Sequence, residues 1–316
     1  LRTLSEIGIV PVVALKDAAD AVPLARALCA GGIPTAEVTF RTDAAAASIA
    51  AMRQEVPEML VGAGTVLTVE NAEAAVAAGA AYIVTPGISE PVVRWCIEHG
   101  VPVLPGVSTA SEVQKMLEYG IEIMKFFPAA ASGGIAMLKG LYGPFQKVRF
   151  VPTGGVNASN LNDFLRLPNV IACGGTWMVK KDLIEAENWD EITRMTREAV
   201  RTMLGFSLHH VGVNCGSEEE ADRLARTLCA FFGFTYQMGN SSVQALPAVE
   251  CTKTPGPGAH GHIAIGTNSV DRAVYHLGLQ GIRCREETRK TDARGKTKAI
   301  YVDGAFGGFA IHLVQA

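Results

Sequence analysis

The sequence predicts an α/β fold class: a parallel (β/α)8 (TIM) barrel over residues 1–205, followed by a smaller α+β domain over residues 206–316. Two observations carry the barrel. Short apolar runs of strand length alternate with Ala-rich amphipathic stretches from Ile9 to about Leu204, eight times over. Polar residues and glycines gather at the carboxyl ends of those runs, where such a barrel keeps its chemistry. A third observation marks the second domain: composition changes after Gly205, and six of the seven histidines lie beyond it. An open doubly wound sheet is the alternative for the first domain, but no Gly-x-Gly-x-x-Gly follows its first strand.

In chain order the strand runs are residues 9–15, 36–41, 60–66, 82–86, 101–105, 121–127, 149–153 and 170–174. Helical patterns fall at 18–30, 44–55, 69–78, 90–99, 110–119 and 135–141, and a last one at 189–204 precedes Gly205. Several helices stop on glycine, at Gly31, Gly79, Gly100 and Gly120.

Bulk properties exclude several classes. A chain of 316 residues with 48% hydrophobic and 19% charged residues describes a soluble globular protein of two ordinary domains. A net charge of -3 leaves no electrostatic footprint for nucleic acid. No apolar run approaches membrane-spanning length, and no signal-peptide pattern begins at Leu1. The seven cysteines are scattered without a Cys-x-x-Cys, which suits reduced thiols in the cytoplasm, with Cys29, Cys96 and Cys229 as core filler.

The most informative residue is Lys125. In a strand, Ile121, Ile123, Lys125 and Phe127 share one face and Glu122, Met124 and Phe126 the other. An ammonium held among Ile and Phe is poorly solvated, and desolvation favours the neutral amine, the form that attacks a carbonyl to make a Schiff base. In the second strand Glu37, Thr39 and Arg41 share a face, while Val38 and Phe40 face the helices. An inward charged face needs partners or a ligand. A structural ion pair between Glu37 and Lys125 is the plainer alternative.

The last two strands end in Thr153-Gly154-Gly155 and Gly174-Gly175-Thr176. Glycines let backbone amides approach a ligand closely, threonine hydroxyls add donors, and these loops are the usual phosphate site of such barrels. Plain turn glycines are the alternative.

The second domain carries a weak internal repeat. Each half opens on a strand beginning with histidine, His210-Val-Gly-Val and His262-Ile-Ala-Ile, and continues into a helix; Ser217 before Glu218, Glu219 and Glu220 is a good helix start. Each half closes on a strand with a polar residue, Glu250 or His312, and Pro255-Gly-Pro-Gly258 separates the halves. By alternation Val211, Val213, Val249, Cys251, Ile263, Ile265, Ile311 and Leu313 face the helices, so His210, Glu250, His262 and His312 face a shared concavity. His209, His260 and His276 read as surface or loop residues.

With these residues in place, the first domain closely resembles the class I aldolases of the KDPG/KHG family, which act on 2-keto-3-deoxy-6-phosphogluconate (KDPG) and 4-hydroxy-2-oxoglutarate. The resemblance rests on Glu37-Val-Thr-Phe-Arg-Thr42, Val61-Gly-Ala-Gly-Thr-Val-Leu67, Lys125-Phe-Phe-Pro128, Pro152-Thr-Gly-Gly155 and Gly174-Gly-Thr-Trp177. It implies that Lys125 forms the Schiff base and Glu37 is the general acid/base. It implies that Arg41 and Thr65 hold the pyruvyl carboxylate, that Pro86 and Phe127 line that pocket, and that Thr153, Gly154, Gly155, Gly174, Gly175 and Thr176 take the phosphate. It further implies a cytoplasmic homotrimer with small-molecule substrates and no resident cofactor. Thr176 stands where the family often has Ser, and Ala130 where relatives often carry an acidic residue; Thr153 favours the gluconate over the galactonate-type substrate. The first domain has one histidine, His99, placed to interact with a helix C-terminus, so a zinc-dependent class II site is not expected there. The other readings are an aldolase for the galactonate-type phosphate, and a non-catalytic sugar-phosphate-binding barrel with the second domain as the active part.

The second domain resembles a glyoxalase-type (vicinal oxygen chelate) domain of paired βαβββ modules. That family often binds a divalent metal at the positions of His210, Glu250, His262 and His312, typically with a carboxylate where this chain has His312. The expectation here is cavity histidines satisfied without a metal. The role of this domain is left open among a second catalyst, a ligand sensor and an assembly surface.

Overall fold

The computed structural model describes residues 2–293, 295–304 and 306–316. The chain divides into two compact units, Leu1–Met203 and Leu204–Ala316.

The first unit runs α1 (Arg2–Ile7), β1 (Ile9–Val13), α2 (Ala21–Ala30), β2 (Thr35–Thr39), α3 (Ala45–Glu55), β3 (Leu60–Gly64), α4 (Val69–Ala77), β4 (Ile83–Val84) and α5 (Glu90–Glu98). It continues with β5 (Val103–Leu104), β6 (Gly106–Val107), α6 (Ala110–Glu118), β7 (Ile123–Phe126), α7 (Gly134–Tyr142), β8 (Arg149–Pro152), α8 (Leu161–Leu165), β9 (Cys173–Gly175), α9 (Lys181–Glu185) and α10 (Trp189–Leu204). The strands form a curled parallel sheet. Its ordered runs are β5-β4-β3-β2-β1-β9 and β6-β7-β8, and isolated parallel bridges Phe150↔Val170 and Thr153↔Gly174 link β8 to the segment of β9.

Most strands end one or two residues before the predicted limit, because Leu15, Arg41, Val66 and Thr153 already belong to the loops that leave the sheet. The fifth run is split around Pro105, which has no N–H for the ladder. The eighth pairs at 173–175 instead of 170–174, with Val170 held only by its single bridge. Helices α1, α8 and α9 were not anticipated; at five or six residues they are too short to show a helical period. Gly79, Gly100 and Gly120 are left-handed stops, as expected of helix ends. Gly31 is not: it stays right-handed, and its lack of a Cβ admits Thr196, whose own Cβ would lie 2.4 Å away.

Register fixes the concave face. Val12 pairs with Glu37, and Lys125 with Gly106 and Val151. Below these polar residues lies an apolar floor of Val10, Tyr82, Val84, Leu104, Val151 and Ala172, to which α1 adds Leu4. On the opposite face Met124, Phe126 and Phe150 are fully buried, the two phenyl rings edge to face at 6.1 Å.

The second unit is β10 (Ser207–Asn214), α11 (Glu218–Phe232), β11 (Thr235–Met238), β12 (Ser242–Leu246), β13 (Val249–Thr252), β14 (Gly261–Thr267), α12 (Val270–Leu279), β15 (Cys284–Thr291), β16 (Thr297–Val302) and β17 (Phe309–Gln315). Two β-α-β-β-β successions build one eight-stranded sheet, ordered β11-β12-β13-β10-β14-β17-β16-β15. The halves meet antiparallel at β10 and β14, and each closing strand runs parallel to its own opener. Ser217 and Ser269 cap α11 and α12 by accepting from the backbone N–H three residues on.

One expectation is refined and another needs correction. The helices pack over the outer strands of each half, so Val211, Val213, Ile263 and Ile265 on the central strands are only half-buried. His276 is no surface residue: it sits on the inner side of α12 at 2% exposure. His209 and His260 are exposed.

Leu4 is 1% exposed in the floor of the curled sheet. Leu4→Ala is expected to destabilise the first unit by about 2–5 kcal/mol, the usual cost of such a truncation, read as a lower denaturant midpoint with unchanged slope.

Candidate functional site

The site of the first unit is built on β2, β3, β7 and the loops after β8 and β9. Lys125 Nζ donates to Glu37 Oε1 at 2.9 Å, and both side chains are 5% exposed. β3 makes the room: a Cβ on Gly64 would lie 2.2 Å from Glu37 Oε1, and one on Gly62 would enter the ring of Tyr82. Burial pushes the Tyr82 phenol well above its ordinary range. The Phe127 ring centroid lies 5.2 Å from Lys125 Nζ, within cation–π range.

Arg41 lies beyond the end of β2, exposed, and its Nε donates to Thr65 Oγ1 at 3.3 Å. Thr65 sits at φ 53°, a left-handed conformation that β-branched residues rarely adopt, so the loop after β3 holds local strain beside the site. After β8, Gly154 and Gly155 turn at φ 94° and 84°. Ala130 packs against Gly155, where an added Cβ would lie 2.4 Å from its own.

These elements open onto a cavity of ≈ 580 Å³. Arg41, Lys125, Phe127, Thr153, Gly154, Gly155, Gly175 and Thr176 line it. Four expected site residues are not in its lining. Glu37 lines a smaller space with Lys125, Thr153 and the apolar floor, so it meets the main cavity only past Lys125. Gly174 gives space to Thr153, whose Oγ1 would be 2.2 Å from an added Cβ. Thr65 acts at the rim through Arg41. Pro86 presses its carbonyl on Gly106, where a Cβ would be 2.2 Å from the oxygen.

Sequence reasoning missed Trp177, Lys180 and Lys181, which also line the cavity. The adjacent lysines that begin three residues beyond Trp177 were an available signal of an anion site. His99 accepts its expected place: Nδ1 lies 2.8 Å from Trp95 O at the end of α5, with its ring stacked on Trp95.

The second unit gathers four side chains on one sheet face. Pairing sets Gly212 between Glu250 and His262, and Ala264 between His210 and His312. A register shift between Leu208 and His210 brings His210 into phase with Ala264. Gly212 is the seat of His262: a Cβ there would lie 2.1 Å from the imidazole Cε1. His210 Nε2 and His262 Nε2 are 3.0 Å apart, and each is 3.2 Å from Glu250 Oε2. The three histidines each offer a nitrogen within 4.8 Å of the others. Ser242 Oγ donates to Glu250 Oε1 at 2.6 Å, and Tyr301 stacks on His312. Hydrogen bonds from His210 and His262 hold the Glu250 carboxyl well below the usual carboxylate range. Burial, with His262 and His210 alongside, pushes His312 down to about 3. His312 Nε2 is buried with no hydrogen-bond partner among the described residues.

This donor set fits a divalent metal. Three imidazoles and one carboxylate suit borderline first-row ions. The orphaned His312 nitrogen, beside two further imidazole nitrogens within 4.8 Å, points to a shared ligand.

Comparison with known proteins places the first unit. Residues 2–195 match the family described as "Aldolase: KDPG and KHG aldolase". The 2-dehydro-3-deoxy-phosphogluconate aldolase of Treponema pallidum is 50% identical over 200 residues, covering 63% of this chain and 95% of that protein. The KHG/KDPG aldolase of Escherichia coli is 45% identical over 192 residues, covering 61% and 90%. The crystal structure of the Legionella pneumophila KDPG aldolase, with pyruvate captured as a covalent carbinolamine, matches with a TM-score of 0.61 at 40% identity, covering 63% of this chain and 98% of that one. The Zymomonas mobilis enzyme with 3-phosphoglycerate matches at 0.58 and 36% identity, covering 62% and 93%. The chain belongs to the KDPG and KHG aldolase family.

Gly64→Ala is expected to drive the Glu37 carboxylate off Lys125, because its Cβ would fall 2.2 Å from Oε1. A crystal structure of that variant should show the Nζ–Oε1 separation opened beyond about 3.5 Å, the outer limit of a hydrogen bond.

Proposed function

We propose that the first unit is a Schiff-base (class I) aldolase, a carbon–carbon lyase that cleaves KDPG to pyruvate and glyceraldehyde 3-phosphate. We take it also to cleave 4-hydroxy-2-oxoglutarate to pyruvate and glyoxylate. The observation that carries the reading is a lysine amine 2.9 Å from a carboxylate, both buried, at the inner end of a cavity rimmed by arginine and glycine-threonine loops. The names of the relatives above support it, as does the trapped pyruvate of the Legionella pneumophila enzyme.

In this reading neutral Lys125 attacks the keto carbon, and Glu37 relays protons as the carbinolamine loses water to give the iminium. Glu37 then takes the proton of the C4 hydroxyl, the C3–C4 bond breaks, and its electron pair passes into the iminium to give an enamine. The aldehyde leaves, the enamine is protonated, and water hydrolyses the imine to release pyruvate. A base within hydrogen-bond reach of the amine suffices for every transfer. Arg41 and Thr65 hold the carboxylate, and Phe127 and Pro86 bound that end. Thr153, Gly154, Gly155, Gly174, Gly175 and Thr176 receive the phosphate, with Thr153 favouring the gluconate substrate. We take the curled sheet to close as a (β/α)8 barrel, which the β8–β9 bridges and the near-continuity of β5 and β6 support. A homotrimer and a cytoplasmic location follow the family resemblance, and the seven cysteine thiols agree with the latter.

Pyruvate with borohydride should add covalently to wild-type protein at Lys125 and leave Lys125→Met unmodified, as peptide mapping would show. Glu37→Gln keeps the shape of the buried partner and should lower kcat on KDPG by about 10²–10⁴-fold, the usual share of a general base. A folded wild-type protein that traps no pyruvate would sink the Schiff-base assignment.

For the second unit, supported by the orphaned His312 Nε2 and the three histidine nitrogens within 4.8 Å of one another, we propose a glyoxalase-like domain that holds a divalent metal through His210, Glu250, His262 and His312. This departs from the expectation of satisfied histidines. When bound, the ion supplies Lewis acidity. His210 is oriented by its other nitrogen, 2.9 Å from His209 Nδ1, and Glu250 by Ser242. Metal-loaded, dialysed protein should carry one ion per chain by mass spectrometry, and the double variant His210→Ala/His262→Ala none.

A further inference from the structure

The main cavity of the first unit carries more positive charge than its motif residues account for. Among the described residues its lining holds four cations, Arg41, Lys125, Lys180 and Lys181, and no carboxylate. Two of the four are matched. Lys125 meets Glu37 at 2.9 Å, and Lys181 shares Glu185 with Lys16, at 3.7 and 2.7 Å. The Lys180 ammonium has no ion-pair or hydrogen-bond partner among the described residues. Its charge is felt at Glu191, but Arg194 donates to both oxygens of that carboxylate, each at 2.7 Å. The backbone that carries Lys180 is fixed: its carbonyl accepts from the N–H groups of Leu183 and Ile184, both at 3.1 Å, and Val179 before it is buried.

The placement of the charges then bears on the substrate. Arg41 follows β2 and Lys180 follows β9, with β1 between those strands in the sheet. The strands that lead to the two cations are thus two spacings apart, about 10 Å. Arg41 donates only to the Thr65 hydroxyl. The cavity therefore offers uncompensated positive charge at two separated points, which suits a substrate with an anion at each end. KDPG has a carboxylate at C1 and a phosphate dianion on C6. In 4-hydroxy-2-oxoglutarate the second anion is a carboxylate at C5, with one charge and a shorter reach. The loops after β8 and β9 that line the cavity are neutral: Thr153, Gly154, Gly155, Gly175 and Thr176 offer hydrogen bonds but no charge. A dianion among neutral donors gains from a nearby ammonium, and Lys180 has no other partner to leave.

We propose that Lys180, three residues beyond the Gly-Gly-Thr-Trp motif, is the charged contact for the distal anion of the substrate and sets a preference for the phosphorylated six-carbon acid over the five-carbon diacid. The proposal deepens the aldolase reading of this cavity and rests on it. The contact lies away from the bonds that change, so it holds bound substrate and transition state alike and acts on KM, not on kcat.

The test compares the full chain with Lys180→Met and Lys180→Arg, changes at an exposed side chain. Lys180→Met should raise KM for KDPG about tenfold with kcat held, and Lys180→Arg should recover most of that loss. Added salt should raise KM for KDPG in the wild type and much less in Lys180→Met. Cleavage of 4-hydroxy-2-oxoglutarate should keep its KM. Pyruvate, which has no distal anion, should be trapped by borohydride with the same concentration dependence in all three proteins. An unchanged KM for KDPG in Lys180→Met overturns the proposal. So does a parallel weakening of pyruvate trapping, which marks a structural role; both results leave the aldolase reading standing. A wild-type protein that traps no pyruvate and cleaves no KDPG removes the aldolase reading, and this proposal with it.

Discussion

The contact between Lys125 and Glu37 constrains the first unit more than any other. Two charged side chains, each 5% exposed, cost several kcal/mol apiece to desolvate, and only close pairing offsets that. Their neighbours are arranged accordingly. Gly64 leaves space for the carboxylate, Gly106 and Val151 flank Lys125 in register, and an apolar floor seals the pair from below. Polarity therefore rises along the concave face: hydrocarbon, then one ion pair, then the Arg41–Thr65 rim. Lys125 lines the main cavity, and Glu37 lines the smaller space behind it.

The second unit solves a related problem differently. Gly212, Ala264 and Ala310 occupy the register positions beside the histidines, so the imidazoles converge over small residues. In the first unit one cation meets one anion and the pair is complete. Here Glu250 Oε2 is shared by two imidazoles, and the third keeps a buried nitrogen unmatched. A buried polar atom left in that state costs about 1–3 kcal/mol. The cluster thus leaves one buried nitrogen without a partner among the described residues, whereas the lysine–glutamate pair satisfies itself.

Much of this was legible in the sequence because the alternation of strands is rigid. Placing Glu37 with Lys125, or His210 with Glu250, His262 and His312, needs only the two-residue period and a guess at strand order. What escaped lies where that period ends. Arg41 was assigned an inward strand position, yet the strand stops at Thr39 and a turn carries Arg41 to the rim. Lys180 and Lys181 reach the cavity from the start of α9, a helix too short to show a period. Gly174 and Gly64 look alike as motif glycines, but each serves by the side chain it admits, which no spacing reveals. His276 carried no pattern to distinguish a buried helix position from an exposed one.

The division of the chain sharpens what the second unit must explain. The Treponema pallidum relative is matched over 95% of its own length by 63% of this chain, and the family match ends at residue 195. The family match therefore lies wholly outside residues 204–316. Those residues nevertheless gather three histidines and a glutamate on one sheet face. A domain kept only as packing surface would gain more from apolar residues at those positions, since buried polar clusters return little net stability.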